Sequence, residues 1–533
     1  AVAEEERFTK IKRAIGQAPI NSLKWCLDYA GITLGDVDTV ALGSDHERLA
    51  RWLGISYAEY RDRYHYDDPN RLFPKDIFGR AGDDIVMMAV PHHEAHAASA
   101  FWPSGSERAA VLVVDNRGED TSTTFYEGDR EKGLRKLREF PVDSSLGLFY
   151  RIATQYTGLY QKTGAAGKLM GLASYGRPDI NMPLAYVDGA PTWAINSNSE
   201  LDGDNFIGVQ TERLLNFFEK NYYPYRRGLK ADIFAYANFA ATAQTALESV
   251  MMALITDLKK RLPQIDQLCL AGGVALNCSA NGRIASSKVF EHTFIQPMAG
   301  DAGVALGAAL FAAHKKGENM RLAAPMISTS LGLEESNEEI EWILKNEGIN
   351  YRRLTGICET AQLAAKAVAE GRVIAWHQGR AEVGPRALGN RSFIGDPRRR
   401  ETHVLLNEIK EREMWRPIAP SVLAERFYEY FEGEPNPFMI VAATVRSGVR
   451  SRIPAVVHID GSARPQCVAQ ETNPRYYALL KEFYKITGVP LVTNTSLNVA
   501  GMPLANNAAD TIQILRARNL VSAAFIGDFM VTR

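Results

Sequence analysis

VPHHEAHAASA, residues 90–100, gathers His92, His93 and His96 into five residues of a chain that has ten histidines in all. The apolar run 85–90 leads in as a strand would, and Pro91 suits the first turn of a helix, where its missing N–H costs nothing. On that helix His92 and His96 lie four apart and share one face. Two imidazoles so spaced can hold one divalent metal, as in helical HExxH sites, although here the Glu sits elsewhere and the metalloprotease pattern is absent. Polar helix residues bonded to a neighbouring carbonyl explain the same spacing, so the segments around this one decide between the two.

Working outward, AAVLVVDNRGED (109–120) puts Asp115 at the end of an apolar strand, and the alternating TSTTFYEG (121–128) completes a hairpin signature. Carboxylates at the carboxyl ends of strands in open α/β sheets face the ligand crevice, which makes Asp115 a metal or phosphate-side ligand unless it serves the turn alone. TGAAGKLMGLASYG (163–176) has four glycines and Lys168, a composition that lets backbone approach an anion. No Ser or Thr follows the lysine, so it is not a Walker A loop. In DQLCLAGGVALNCSANG (266–282) a strand, the pair Gly272 and Gly273, and a helix start carrying Asn277 form either a phosphate-binding device or a tight packing turn. Asp301, at the mouth of the Ala/Gly-rich helix of FIQPMAGDAGVALGAALFAA (294–313), is by position an N-cap. Joined to His92, His96 and Asp115 it completes a two-His, two-carboxylate set that suits iron, manganese or zinc.

The 533 residues are too many for one ordinary core, and with 46% hydrophobic and 23% charged residues the composition is globular. Lysine and arginine total 61 against 62 acids, which removes the global electrostatic case for nucleic acid or an anionic membrane as main partner. Cys26, Cys269, Cys278, Cys358 and Cys467 are scattered without CxxC pairing, as in reduced cytoplasmic proteins. No run of about twenty apolar residues suggests a membrane span. The chain opens at AVAEEERF without Met, as if an upstream strand and turn preceded it. The segment 49–82 has no clean period and reads as an irregular surface excursion or a lid.

The second half starts near residue 325, after a charged, Ser/Pro-containing linker. Nine cations fall between Arg380 and Arg416. Arg398, Arg399 and Arg400 read as solvated charge. Arg386, in GPRALG just after a Pro, and Arg416, between Trp415 and Pro417, sit on stiff backbone that aims a guanidinium for bidentate phosphate contact; with Lys410 they read as an anion site, packing being the alternative. In VPLVTNTSLN (489–498), Asn494 and Ser496 share one face of a strand.

The ordered set HHEAH, VVDNRGE, GKLMGLASYG, AGGVALN and GDAGVALGAA resembles the actin/hexokinase-type ATPase domain of enzymes that make threonylcarbamoyladenosine in tRNA. With HQGRAEVGPRALGNRS, KEREMWRPIAPSV and LVTNTSLN it resembles the O-carbamoyltransferases related to NodU, CmcH and the tobramycin carbamoyltransferase. The resemblance implies an α/β chain with an ATPase-like domain over 1–325 and a YrdC-like α/β domain over 326–533. It implies that carbamoyl phosphate and ATP give carbamoyl-adenylate, whose carbamoyl group passes to a hydroxyl of a small natural product, with Mg accompanying ATP. It further implies His92, His96, Asp115 and Asp301 as metal ligands, with Lys168, Gly272, Gly273 and Asn277 on the nucleotide. Arg386, Lys410, Arg416, Arg464, Asn494 and Ser496 would bind carbamoyl phosphate, and His92, Arg386, Lys410, Arg416 and Ser496 form the expected catalytic set. The family's His-Asp-x-Ser-Ala motif, which carries a histidine of the transfer site, is absent from this sequence. A cytoplasmic enzyme of bacterial secondary metabolism, with no nucleic-acid or membrane partner and with a homodimer allowed, is the expectation. The rivals are a tRNA-modifying enzyme, which a gel shift with bulk tRNA would expose, and a non-catalytic ATP-binding regulator, which leaves the second-half cations without a purpose.

Overall fold

The structure, a computed structural model, describes residues 1–64, 67–80, 82, 84–159, 166–193, 203–222, 232–320 and 325–532. It is a mixed α/β chain that divides into two compact units, one made of residues 31–326 and the other of residues 1–30 together with 327–533. The expected partition assigns the first thirty residues to the first domain, whereas their contacts group them with the second. The cause is specific bonding: Val2 N–H donates to Leu331 O at 3.2 Å, Lys10 Nζ meets Asp510 Oδ2 at 2.5 Å, and the Arg380 guanidinium lies over the Tyr29 ring.

In the 31–326 unit the central sheet runs Gly133–Pro141, Thr121–Asp129, Arg108–Val114, Gln267–Ala271, His292–Ile295. The first three strands are antiparallel neighbours, and the last two join in parallel. Thr39–Leu42 and Val86–Ala89 form a separate parallel pair that leads into the helix His92–Phe101. That helix is buried from Ala95 to Phe101 because small Ala and Ser side chains let it approach the sheet and the helix Val304–Lys315. At Gly307 a Cβ would lie 1.7 Å from Ala95 O. Gly307→Ala is therefore expected to cost about 1–3 kcal/mol by overpacking, read as a lower urea midpoint; an unchanged midpoint would show that the two helices separate freely.

One expectation changes here. The segment 49–82 lies in and after a run of short helices, His46–Trp52, Tyr57–Tyr64, Pro69–Leu72 and Lys75–Phe78, two of them begun by the Asp caps Asp45 and Asp68. Among the described residues one helix, Ile233–Arg261, is long and apolar enough to cross a membrane by length and composition. Its inward positions, Phe239, Ala243, Leu247, Val250, Leu254 and Leu258, are buried in the unit's core.

In the other unit the described strands form an eight-stranded sheet with Ile374–His377, Arg391–Gly395 and Leu491–Ser496 at its centre. Helices Ile357–Ala369 and Pro474–Thr487 pack together over it, burying Trp376, Phe393, Leu480 and Phe525. Arg391 is wholly buried there, and its guanidinium donates to the carbonyls of Gln378 and Gly379 at 3.0 Å.

Candidate functional site

His92, His96, Asp115 and Asp301 come together: one ligand atom from each lies within 4.8 Å of every other. The helix brings the two Nε2 atoms to 3.1 Å, the strand Arg108–Val114 ends where Asp115 Oδ2 is 3.4 Å from one and 3.5 Å from the other, and Asp301 Oδ1 stands 3.8 Å from His92 Nε2. Asp301 does not cap its helix: it opens a short 3-10 turn, Asp301–Gly303, makes no cap bond, and leaves its side chain exposed. His92 Nδ1 pairs with Gly43 O at 3.0 Å, which assigns the proton to Nδ1 and turns the Nε2 lone pair toward the cluster. Asp115 Oδ1 accepts from Gly273 N–H at 2.9 Å, leaving Oδ2 for the histidines. Burial alone would lower the His92 imidazole, but the bond and charge of Asp115, the charge of Asp301 and the Gly43 carbonyl carry it up to about 9. Burial likewise opposes the Asp115 carboxylate, and the two imidazoles hold it well below the usual range. Two imidazole nitrogens and two carboxylates facing one point fit a divalent transition metal.

Sequence reasoning missed Glu119. Its buried carboxylate accepts from His92 N–H at 3.0 Å, Asp45 N–H at 2.8 Å and Ser44 Oγ at 3.3 Å, tying the histidine helix to the loop after the first strand. Within DNRGED it looks like one more turn acid, and only the fold brings its three donors together.

The glycine pair serves close approach. Gly272 has φ +88°, and a Cβ there would be 2.2 Å from Val114 O. Gly273 begins a 3-10 turn, after which Asn277 caps the helix Cys278–Ser287, accepting from Ala280 N–H at 3.0 Å. The Asn277 carboxamide also pairs both ways with Gln244, so its polar atoms are committed inside the unit. Lys168 sits half-buried on the helix Ala166–Ala173; Thr163 and residues 164–165 of the same motif lie outside the described residues.

In the unit of 1–30 and 327–533 a second cluster forms. Lys410 is buried at the end of the helix Arg400–Ile409, and its ammonium donates to Ser496 O at 2.6 Å, Ser496 Oγ at 2.9 Å, Asn498 O at 2.7 Å and Asn498 Oδ1. Burial and the charges of Arg412, Arg416 and Lys12 push it well below the ordinary lysine range. Burial also lowers Arg412, reinforced by Arg416 and Arg464, and Arg416 falls for the same reason with Glu413 opposing and Arg464 adding. Burial and neighbouring positive charge thus disfavour the charged forms of Lys410, Arg412 and Arg416 together, an arrangement that can take an anion. Arg412 was not singled out from the sequence; it is held by the buried Asn407, whose Oδ1 accepts from its Nε at 2.5 Å while Nδ2 donates to Arg416 O at 3.1 Å. Asn494 is buried on the same strand as Ser496, its Nδ2 donating to Ser421 Oγ and Gln466 Oε1 at 3.1 Å, its Oδ1 without a partner among the described residues. Arg464 is half-buried beside them. Arg398, in contrast to its solvated reading, forks onto the buried Asp396 at 2.7 and 2.9 Å.

Arg386 is half-buried on a loop wound around a carboxylate. Glu382 Oε1, buried, accepts from Leu388 N–H at 2.8 Å, Asn390 N–H at 2.7 Å and Arg391 N–H at 3.2 Å. Gly384, with φ +92°, makes the turn that Pro385 then stiffens.

Among known proteins, residues 1–310 match the family described as carbamoyltransferase N-terminus and residues 365–533 the one described as carbamoyltransferase C-terminus. An uncharacterized protein of Synechocystis sp. is 36% identical, covering 96% of this chain and 89% of its own. Nodulation protein NolNO of Sinorhizobium fredii is 32% identical over 100% of this chain and 77% of its own. The 3'-hydroxymethylcephem-O-carbamoyltransferase of Amycolatopsis lactamdurans is 32% identical over 93% of this chain and 89% of its own.

Proposed function

The chain belongs to the carbamoyltransferase family and is an enzyme that transfers carbamoyl groups, and on that premise we propose that it activates carbamoyl phosphate with ATP and carbamoylates a hydroxyl. The observation that carries this reading is the cationic cluster of Lys410, Arg412, Arg416 and Arg464 around Ser496, built where a phosphate dianion would relieve the mutual repulsion. Arg386, Lys410, Arg416 and Arg464 hold the phosphoryl oxygens, and Ser496 donates beside them. The unpartnered Asn494 Oδ1 is an acceptor for the carbamoyl NH2.

Water splits carbamoyl phosphate into inorganic phosphate and carbamate. Its oxygen attacks the α-phosphorus of ATP, pyrophosphate leaves, and carbamoyl-adenylate forms. The acceptor hydroxyl then attacks the carbamoyl carbon, loses its proton, and AMP departs. Carbamate is short-lived in water, so making and consuming it within one chain keeps it from hydrolysis. On the nucleotide side stand Lys168 and the turn of Gly272, Gly273 and Asn277, whose helix end favours negative charge.

His92, His96, Asp115 and Asp301 would hold the divalent metal, with iron first and manganese or zinc as the alternatives. When bound it supplies Lewis acidity or an orienting charge beside the carbamoyl group and AMP. The acceptor is a small natural-product hydroxyl, the setting is cytoplasmic, and the ATPase-like and YrdC-like folds describe the two units.

An ATP/pyrophosphate exchange assay without acceptor tests the activation step. Exchange should require carbamoyl phosphate and fall by about a hundredfold or more in Arg386→Ala, the loss typical of one donor aimed at developing charge. Exchange that proceeds equally without carbamoyl phosphate would sink the reading.

A further inference from the structure

The segment before residue 31 reaches the loop that carries Arg386. The Arg7 side chain is buried, its Nε and Nη2 both donate to Glu4 Oε2, at 3.0 and 2.6 Å, and Nη2 also donates to Gly384 O at 3.2 Å. The same Glu4 oxygen accepts from Gly384 N–H at 3.4 Å. Both backbone polar groups of Gly384 are therefore taken by one ion pair nearly four hundred residues away in sequence.

That position matters because of what the loop lacks. Gly384 is the one flexible backbone point before Pro385 and Arg386; its positive φ is freely left by a glycine unless something holds it. On its inner side the loop is fixed by Glu382, whose bonds begin only at Leu388. Between the two lie Pro385, Arg386 and Ala387, the last held by Asn494 Nδ2, which donates to its carbonyl at 3.2 Å. The Glu4–Arg7 pair closes the other end, and Lys12, a few residues on, adds its charge to the surroundings of Lys410. Glu5 in turn anchors the segment, its buried carboxylate accepting from Ser22 N–H and Ser22 Oγ at 2.8 Å.

We propose that Glu4 and Arg7 are positioning residues that clamp Gly384 and thereby hold the Arg386 guanidinium in register with the phosphoryl group of carbamoyl phosphate. This rests on the reading of Arg386 as a carbamoyl-phosphate ligand. Glu4 and Arg7 touch no substrate; they remove the rotation at Gly384 that would let the guanidinium swing away. A displacement of about 1 Å at such a group costs up to about a hundredfold.

The test uses the full chain in the exchange assay, with Arg7→Lys, Arg7→Met, Glu4→Gln and Arg386→Ala side by side. In Arg7→Lys and Arg7→Met the KM for carbamoyl phosphate should rise by about tenfold, while the KM for ATP stays near that of the wild type. Glu4→Gln keeps an acceptor for Gly384 N–H and loses the charge, so a smaller rise in the same KM is expected. Should the buried Arg7→Met fail to fold, Glu4→Gln and Arg7→Lys decide the matter. A rise in both KM values together would mark a general structural role and overturn the clamp. If Arg386→Ala raises the carbamoyl phosphate KM and the Glu4 and Arg7 variants do not, the clamp is wrong and Arg386 keeps its role. If Arg386→Ala leaves that KM unchanged, the role of Arg386 falls and the clamp with it.

Discussion

Asp115→Asn should remove divalent-metal binding and lower carbamoyl transfer by about a thousandfold, with the metal read by elemental analysis of the purified protein and by titration with manganese. The reason is the sharing of one carboxylate oxygen by two imidazoles, at 3.4 and 3.5 Å. Even partners one shell outside a metal's ligands are worth about 10–100-fold in affinity, and Asp115 is proposed as a ligand itself. The carboxamide preserves size and keeps an oxygen for Gly273 N–H, so the fold should survive, which a circular dichroism melt would verify. The loss has a second, independent signature. Asp115 is the chief counter to burial in holding the His92 imidazole near 9, so the variant's His92 should titrate lower, visible by NMR of the ring protons. Retention of stoichiometric metal in Asp115→Asn would remove this quartet as the metal site, whatever happened to the activity.

Lys410→Met should raise the carbamoyl phosphate requirement more than any other single change in the second cluster, by about a thousandfold in kcat/KM for the exchange reaction. The ammonium is caged by the oxygens of Ser496 and Asn498, and methionine fills the stem's space without the charge. A pH dependence follows. Because burial and neighbouring cations depress Lys410, the free protein begins to lose this proton below the range of an ordinary lysine, whereas a bound phosphate dianion favours the charged form. Anion binding is then coupled to proton uptake, so affinity is full on the acid side and declines as pH rises through the depressed value. Lys410→Arg should shift that alkaline decline to higher pH. A carbamoyl phosphate KM that stays flat through the alkaline range in the wild type would contradict this account.

The convergence of His92, His96, Asp115 and Asp301 was legible because each sits at a position that local pattern fixes: two histidines four apart on a helix, an aspartate at a strand's end, another at a helix mouth. What local pattern could not fix was bonding across the chain. Asp301 was placed as an N-cap by its position, yet no cap bond forms and its side chain remains exposed. Asn277 was read toward the nucleotide, yet its carboxamide is spent on the cap and on Gln244. Glu119, Glu382 and Asn407 organise the loops around both clusters and look in sequence like ordinary surface polar residues, since their donors come from segments far along the chain. The same holds for the first thirty residues. Their EEER turn is charged, and its use, burial of Glu5 and Arg7 against distant backbone, has no sequence period.

Those thirty residues also set the order in which the molecule can be built. They leave the ribosome before the 31–326 unit, while their partners, Leu331, Gly384 and Asp510, are made after it. Closing that span as an unfolded loop of roughly 300 residues costs about 5 kcal/mol of chain entropy. Folding the intervening unit first replaces the long loop by a compact body and removes most of that barrier. The discontinuous unit is therefore the late folder, and Gly384 meets Glu4 and Arg7 only after the 31–326 unit has been made.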